Sequence, residues 1–143
     1  MRRTIFSDEH EHFRQEFRRF AEAELSPHNE AWLAAGMSDR SAWEKMGKAG
    51  FLGANQPEEY GGAGGDFLFD AIIMEELGDL RLHALQASLH TNICMPYLTA
   101  FGNEEQKQKQ KPYSSSRRSC MLRWRFAVRF ALRDNHIFYS VLK

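Results

Sequence analysis

A glycine-rich segment, residues 60–66, is the first part of this sequence whose residue types suggest chemistry. It contains four glycines, ends in Asp66 and directly precedes a helical pattern, an arrangement that can cradle phosphate groups. It lacks the Lys-Ser/Thr pair of a P-loop and the spacing of a dinucleotide fingerprint. The Asp66 carboxylate would also repel a phosphate at that helix terminus. We therefore predict a tight interhelix turn that uses the positive φ open to glycine.

Histidine and cysteine side chains are common metal ligands, bases and nucleophiles. His10 and His12 fall on different faces of one predicted helix, and His83 and His90 lie two turns apart rather than at the i, i+4 spacing of a zinc helix. Cys94 lies among apolar residues, which is typical of a buried thiol rather than a nucleophile. These residues predict no metal site.

Two acidic pairs, Glu75-Glu76 and Glu104-Glu105, could supply a general base. Adjacent acids on a helix are more typical of a solvated face, and we predict that role for both pairs. No Ser-His-Asp or Cys-His arrangement is visible in the sequence. The residues alone therefore show no complete catalytic set.

The helix that carries His10 and His12 is predicted to begin at Ser7, a good N-cap followed by acidic residues. Pro27 ends this helix near Ser26. Arg14 and Arg18 are predicted to face outward, opposite an apolar face at helical spacing. That face consists of Phe13, Phe17, Phe20, Ala21 and Leu25.

Periodicity predicts five further helices, with no strand pattern in the first 109 residues. They span about Asn29 to Ala35, Ser41 to Gly50, Phe67 to Leu77, about Ala84 to Phe101, and Glu104 onward. Ser41 with Glu44 forms a predicted capping box, Asp66 an N-cap, and Pro96 a kink. The fifth helix is predicted from apolar residues spaced four apart: Leu85, Leu89, Ile93 and Tyr97. The expected fold is all-α.

The charges divide the chain into two parts. Its 143 residues carry 19 Lys plus Arg and 19 Asp plus Glu, a net charge of zero. Residues 1–109 contain eleven basic and eighteen acidic residues, whereas residues 110–143 contain eight basic residues and one acid. Two cysteines exclude a disulfide scaffold, and the short apolar runs exclude a membrane-spanning helix. We therefore treat the acidic and basic parts separately.

The basic tail, residues 110–143, alternates apolar and other residues from Leu122 to Arg133. Strict alternation favours an amphipathic strand, and a helix with a basic stripe is the alternative. A basic, aromatic segment could bind nucleic acid or an anionic membrane, but neither partner is expected. We favour unselected sequence, translated after a frameshift or through retained non-coding sequence. This predicts a poorly ordered or non-native tail able to self-associate through an unpaired strand.

A series of short motifs, in order over some hundred residues, carries a family resemblance. They include Ile5-Phe6-Ser7, Pro27-His28, Trp32, Trp43-Glu44-Lys45, Gly47-Lys48, Glu59-Tyr60-Gly61-Gly62, Gly64-Gly65-Asp66, Ser88-Leu89-His90-Thr91, Met95-Pro96-Tyr97 and Glu104-Glu105-Gln106-Lys107. With these motifs residues 1–109 resemble the N-terminal helical domain of acyl-CoA dehydrogenases, most like the long-chain type. The resemblance implies an orthogonal helical bundle. It stops at Lys109, where family members continue into a Thr-Glu-Pro segment.

The resemblance implies an FAD enzyme of fatty acid β-oxidation that oxidises the Cα–Cβ bond of an acyl-CoA and passes electrons to an electron-transfer flavoprotein. In the family, a middle β-domain and a C-terminal helical bundle supply most of the flavin site and the catalytic glutamate. The expectation is thus a truncated member that is inactive alone, with no catalytic or cofactor-binding residue of its own. Its expected location is the mitochondrial matrix if eukaryotic and the cytoplasm if bacterial.

By resemblance, the fifth helix lines the deep end of the acyl cavity. Leu85, Ser88, Leu89 and Asn92 fall at i, i+3, i+4 and i+7, which predicts one substrate-binding face. Packing between helices is the other role open to these four residues, and we favour it in a chain without the other domains of the family. The alternative function is a non-catalytic interaction module, in which the acidic domain binds a partner and the basic tail binds an anionic partner or surface.

Overall fold

The computed structural model describes residues 4–85 and 87–108, and within these residues all regular structure is helical. The predicted all-α fold is confirmed for this part of the chain. The tail predictions fall outside the described residues. The α-helices are α1 (Asp8–Glu24), α2 (Asn29–Ala35), α3 (Arg40–Lys48), α4 (Phe67–Asp79), α5 (Met95–Phe101) and α6 (Glu104–Gln108). Short 3₁₀ turns at Ser26–His28 and Glu58–Tyr60 and a π-helical segment, Leu89–Cys94, complete the set.

The predicted cap of α1 is present, and it has a partner that the sequence reasoning missed. The Ser7 hydroxyl accepts a hydrogen bond from the His10 backbone N–H, and His10 Nδ1 accepts one from the Ser7 N–H at 3.1 Å. Histidine thus takes the part that Glu or Gln plays in a capping box. The helix begins at Asp8 as the sequence predicts.

The core lies between the apolar faces of α1, α3 and α4. Phe51, which follows α3, packs against Phe13, Phe17 and Phe20 of α1 with ring centroids 5.0–5.6 Å apart. Each large side chain removed from water contributes about 1.5–3 kcal/mol. Other buried members of the core are Ala21, Leu25, Trp32, Met46, Ile73, Leu77, Leu82 and Leu85.

The glycine-rich segment forms the predicted turn into α4. Gly61 and Gly64 have φ of 87° and 67°, which favours glycine. At Gly62 the constraint is space, since a Cβ there would lie 2.0 Å from the carbonyl oxygen of Gln56. Asp66 then caps α4 by accepting the Leu68 N–H at 2.8 Å.

The capping box predicted for α3 is wrong. The helix begins at Arg40, so Ser41 and Glu44 lie inside it, and its N-cap residue Asp39 makes no side-chain capping hydrogen bond. Glu44 instead pairs with Arg40 one turn earlier, at 3.2 Å. The Glu44 carboxylate, which the prediction assigned to a capping box, therefore forms an i, i+4 ion pair on the surface.

The fifth predicted helix differs in its register. Its helical residues begin after Leu85, and Leu89–Cys94 is π-helical, with the Met95 N–H bonded to the His90 carbonyl. The wider turn lies directly before Pro96, which has no N–H to donate. Because the wider π turn changes the angular spacing of side chains, residues four apart do not share one buried face here, and Ile93 and Tyr97 are 51% and 46% exposed.

Candidate functional site

The four predicted wall residues lie at the start of this helical stretch, in different environments. Leu85 is buried in the core and precedes the helix, whereas Ser88 is exposed and Leu89 half-buried. The Asn92 amide Nδ2 donates to the Met74 sulfur of α4 at 3.0 Å. Leu85 and Asn92 thus take part in interhelix packing, and the single α-helical face predicted for the four is not formed. Their binding of a substrate stays a prediction.

Two buried titratable groups, His90 and Asp70, lie near these four residues. His90 follows Leu89 in the sequence, and Asp70 lies on α4, whose Met74 contacts Asn92. His90 is 8% exposed and meets the Trp43 ring edge-to-face at 5.8 Å. Burial lowers the pKa of His90 to about 4, so the imidazole is neutral at neutral pH. The ring that packs against Trp43 is therefore the uncharged form of the imidazole.

Asp70 is a buried acid that the sequence reasoning missed. It is 1% exposed, and neither carboxyl oxygen has a hydrogen-bond partner among residues 4–85 and 87–108. Burial raises the pKa of Asp70 to about 6. Asp70 shares the α4 face of Met74, which contacts Asn92. The signal that could have revealed it is a lone acid inside the apolar run from Phe67 to Ile73.

An ion-pair network joins α1 to α4 and corrects two predictions. Glu76 is only 2% exposed, and its two oxygens accept from Arg14 Nη1 at 3.0 Å and Arg18 Nη1 at 2.7 Å. Arg14 also contacts Glu75 at 2.9 Å. The predicted solvated face is therefore wrong for Glu76, and the predicted outward role is wrong for Arg14, whose side chain is 19% exposed. A carboxylate with both oxygens held by guanidinium groups is structural rather than a free general base.

The same network forms one side of an acid-rich cleft. The carboxylates converge there because acidic residues of the first turns of α1 face the last turns of α4. The residues that line the cleft are Phe6, Asp8, Glu11, Arg14, Glu75, Glu76 and Asp79. Five carboxylates against one lining arginine favour cations and disfavour phosphates.

A histidine joins the N-termini of α1 and α4. Because His10 Nδ1 accepts from Ser7, its proton is assigned to Nε2, which donates to Asp66 Oδ1 at 3.2 Å. The loss of hydration raises the pKa of Asp66, but hydrogen bonds from His10 and the Leu68 N–H outweigh this and lower it below its ordinary value. The carboxylate thus occupies the helix terminus where a phosphate would bind, which supports the prediction of a structural turn.

Metal and membrane sites were also predicted to be absent. Within residues 4–85 and 87–108, no three His, Cys, Asp or Glu side chains come together in a way that could hold a metal ion. Over the same described residues, no helix combines the length and the apolar character needed to span a bilayer. His10 is committed to the capping box, whereas His12 is exposed on another face of α1.

The fold and the site define a helical domain in which an ion-pair network and an acid-rich cleft join α1 to α4. Comparisons with known proteins give its family. The family profile described as "Acyl-CoA dehydrogenase, N-terminal domain" matches residues 7–116. The chain belongs to the acyl-CoA dehydrogenase family.

Named relatives agree with this assignment. The mitochondrial long-chain specific acyl-CoA dehydrogenase of Mus musculus is 44% identical over 110 residues, which are 77% of this chain and 26% of that protein. The crystal structure of an acyl-CoA dehydrogenase from Geobacillus kaustophilus superposes with a TM-score of 0.72 and 40% identity, covering 78% of this chain and 30% of that one. A chain in the structure of the electron transferring flavoprotein of Acidaminococcus fermentans gives a TM-score of 0.67 and 34% identity, over 79% and 30%. This chain thus spans about a quarter of the curated relative.

FAD, the cofactor that the family implies, carries two phosphates. The acid-rich cleft does not fit them, because its carboxylates outnumber its arginine. The N-terminus of α4 does not fit them either, because the Asp66 carboxylate already accepts the Leu68 N–H there. Neither of these two places fits the phosphates of FAD, and we assign no flavin-binding residue among the described residues.

Proposed function

We propose that this chain is the N-terminal part of an FAD-dependent acyl-CoA dehydrogenase that acts on fatty acyl-CoA, and that it is inactive by itself. The observation that carries the proposal is the match of residues 7–116 to the N-terminal domain of the family, within a chain that spans 26% of its mouse relative. Its contribution would be one wall of the acyl cavity, near Leu85, Ser88, Leu89 and Asn92. The intact protein would pass electrons to an electron-transfer flavoprotein, in the mitochondrial matrix of a eukaryote or the cytoplasm of a bacterium.

The charges and packing of the described residues support inactivity of the chain alone. Dehydrogenation needs a base and an electron acceptor held on opposite sides of the substrate, which one wall does not provide. Glu76 is held by Arg14 and Arg18, and Asp70 is enclosed in the core. Neither carboxyl group is available to take a proton from a bound thioester.

Flavin binding and turnover by the purified chain test this proposal. The chain is incubated with excess FAD, separated from free cofactor and examined for visible flavin absorbance before and after a long-chain acyl-CoA is added. We expect neither retained flavin nor bleaching, whereas a full-length acyl-CoA dehydrogenase shows both under identical treatment. Stoichiometric flavin that bleaches on addition of acyl-CoA would overturn the claim of inactivity.

A further inference from the structure

Ser7, His10 and Asp66 form a hydrogen-bonded triad that joins the starts of α1 and α4. Ser7 Oγ lies 2.7 Å from His10 Nδ1, and His10 Nε2 lies 3.2 Å from Asp66 Oδ1. His10 and Asp66 are 56 positions apart in the sequence, so the fold is what brings the three groups together. An oxygen nucleophile beside a base that a third group orients is the geometric signature of an activated serine.

The hydrogen bonds of the triad assign its protons to the positions that nucleophilic attack requires. His10 Nδ1 accepts from the Ser7 backbone N–H at 3.1 Å, so the ring proton is on Nε2 and the Ser7 hydroxyl donates to Nδ1. The Asp66 carboxylate faces the Nε2–H group, where it can stabilise the positive charge that forms on the ring. Its position is fixed by the Leu68 N–H at 2.8 Å.

The base of the triad is held in place, and its nucleophile is accessible. The His10 ring packs against Phe69 with centroids 4.5 Å apart and meets Phe6 edge-on at 6.1 Å. His10 is 7% exposed, whereas Ser7 is an exposed residue. The His10 backbone N–H lies 3.4 Å from Ser7 Oγ, a long contact that leaves the oxygen lone pairs open to an incoming carbonyl carbon.

The surroundings of Ser7 define the class of substrate. The backbone N–H groups of Asp8 and Glu9, in the first turn of α1, have no intrahelical acceptor and can donate to the oxyanion formed on attack. Ile5 and Phe67, at the two segments that meet here, are 62% and 56% exposed and offer apolar surface to an acyl chain. The side chains of Asp8 and Glu9 disfavour anions. A neutral ester therefore suits this surface better than a charged one.

We propose that Ser7 is a reactive serine that takes the acyl group of a neutral activated ester, with His10 as its base and Asp66 as the group that positions the ring. Ser7 Oγ attacks the carbonyl carbon while its proton passes to His10 Nδ1. The bond from that carbon to the leaving oxygen then breaks, the leaving oxygen takes the proton from Nδ1, and the acyl group stays on Ser7 as an ester. This reaction goes beyond the proposed dehydrogenase function and is independent of it, because it uses no flavin.

Acetylation of the purified full chain by p-nitrophenyl acetate, a neutral activated ester, tests the proposal. Samples are quenched in acid, and peptide mapping by mass spectrometry measures the rate at each serine. Ser41, an exposed serine in α3, is the internal control. We expect the acetyl ester of Ser7 to form at least about tenfold faster than that of Ser41, because a positioned base speeds attack.

The His10→Gln variant separates reactivity from helix capping. Glutamine at this position can complete the capping box as histidine does, but it does not take up the proton of the hydroxyl. We expect the rate at Ser7 to fall about a hundredfold, the lower end of what a positioned base contributes, with the helix signal in circular dichroism unchanged. The rate at Ser41 is expected to stay the same.

The Asp66→Ser variant tests the positioning role of the carboxylate. Serine can still cap α4, and we expect the rate at Ser7 to fall at least about tenfold. Added formate is expected to restore part of this rate, because a small carboxylate can take the place beside His10 Nε2. Chloride at the same ionic strength is the control. A rate that formate leaves unchanged contradicts the role of Asp66, because a purely structural residue is not replaced by a small anion.

Two further results would overturn the proposal. One is acetylation of wild-type Ser7 that is no faster than that of Ser41, which shows that the triad does not activate the hydroxyl. The other is a His10→Gln variant that has the helix content of the wild type and reacts at Ser7 as fast, which assigns His10 to capping alone.

Discussion

At the scale of single residues, burial moves two pKa values in opposite directions. It raises the pKa of Asp70 to about 6, from an ordinary value of 3.8, and it lowers that of His90 to about 4, from 6.5. The cost of ionising Asp70 grows as pH rises from about 3.8 through 6. The cost of protonating His90 grows as pH falls from 6.5 through about 4. Between about pH 4 and pH 6, the Asp70 contribution lowers the free energy of unfolding as pH rises, whereas the His90 contribution raises it. The two changes nearly cancel, so these groups together leave the stability of the wild type nearly independent of pH in this range.

Asp70→Asn separates the two contributions. We expect the variant to gain about 1–3 kcal/mol in the free energy of unfolding above pH 6, because an uncharged amide replaces a buried carboxylate whose shift spans two pH units. The gain disappears below pH 4, where the wild-type carboxyl is protonated in both states. Urea unfolding followed by circular dichroism from pH 4 to pH 8 measures it.

The control for this prediction is Asp79→Asn, because the Asp79 side chain is 70% exposed. It is expected to change the free energy of unfolding by less than about 0.5 kcal/mol at every pH. A wild-type stability that falls steeply between pH 6 and pH 4 while Asp70→Asn stays flat would reverse the predicted sign.

At the scale of elements, α1 and α4 are joined by the charge pairs of Glu76. Glu76→Gln leaves Arg14 and Arg18 facing a neutral group, and we expect a loss of about 2–4 kcal/mol because a buried charge pair is broken. Glu75→Gln is the matched control. The Glu75 side chain is 35% exposed, so its loss is expected to stay below about 1 kcal/mol. Equal losses, measured by urea unfolding at pH 7, would show that burial of Glu76 does not matter.

The turn into α4 gives a second comparison between elements. Gly62→Ala places a Cβ 2.0 Å from the Gln56 carbonyl oxygen, a contact with backbone that cannot move away cheaply. We expect a loss of at least about 2 kcal/mol. Gly78→Ala, inside α4, meets nothing within 4 Å and is expected to stabilise the helix by about 0.5–1 kcal/mol. Thermal unfolding of both variants measures the two signs, and a stable Gly62→Ala variant would contradict the close packing of the turn.

Several elements were predictable because their signals are local. Ser7 and Asp66 cap helices by contacts within three residues, and the glycines at 61 and 64 indicate a positive φ. The burial of Glu76 was not predictable, because α4 has apolar residues on all sides and periodicity does not show which polar residue faces α1. The π segment was missed for a related reason, since a 3.6-residue period presupposes the regular helix that Leu89–Cys94 departs from.

At the scale of the whole molecule, the chain combines an acidic helical domain with a basic tail, and the family assignment rests on the first of these. The described residues bury an apolar core that extends from Phe17 of α1 to Ala87, beyond the end of α4. Two large apolar side chains of α5 nevertheless stay on its surface, because Tyr97 and Phe101 are 46% and 59% exposed.

The pairing of α1 with α4 has a consequence for how the protein folds. The contacts that join the two helices link residues 56 to 62 positions apart, from His10–Asp66 to Arg14–Glu76. Contacts at such separation require a large loop to close before they stabilise anything, which slows folding relative to helical proteins whose contacts are local. During synthesis the apolar face of α1 is made before α4. The phenylalanines of α1 therefore stay exposed to water until the later part of the domain has been made and can cover them.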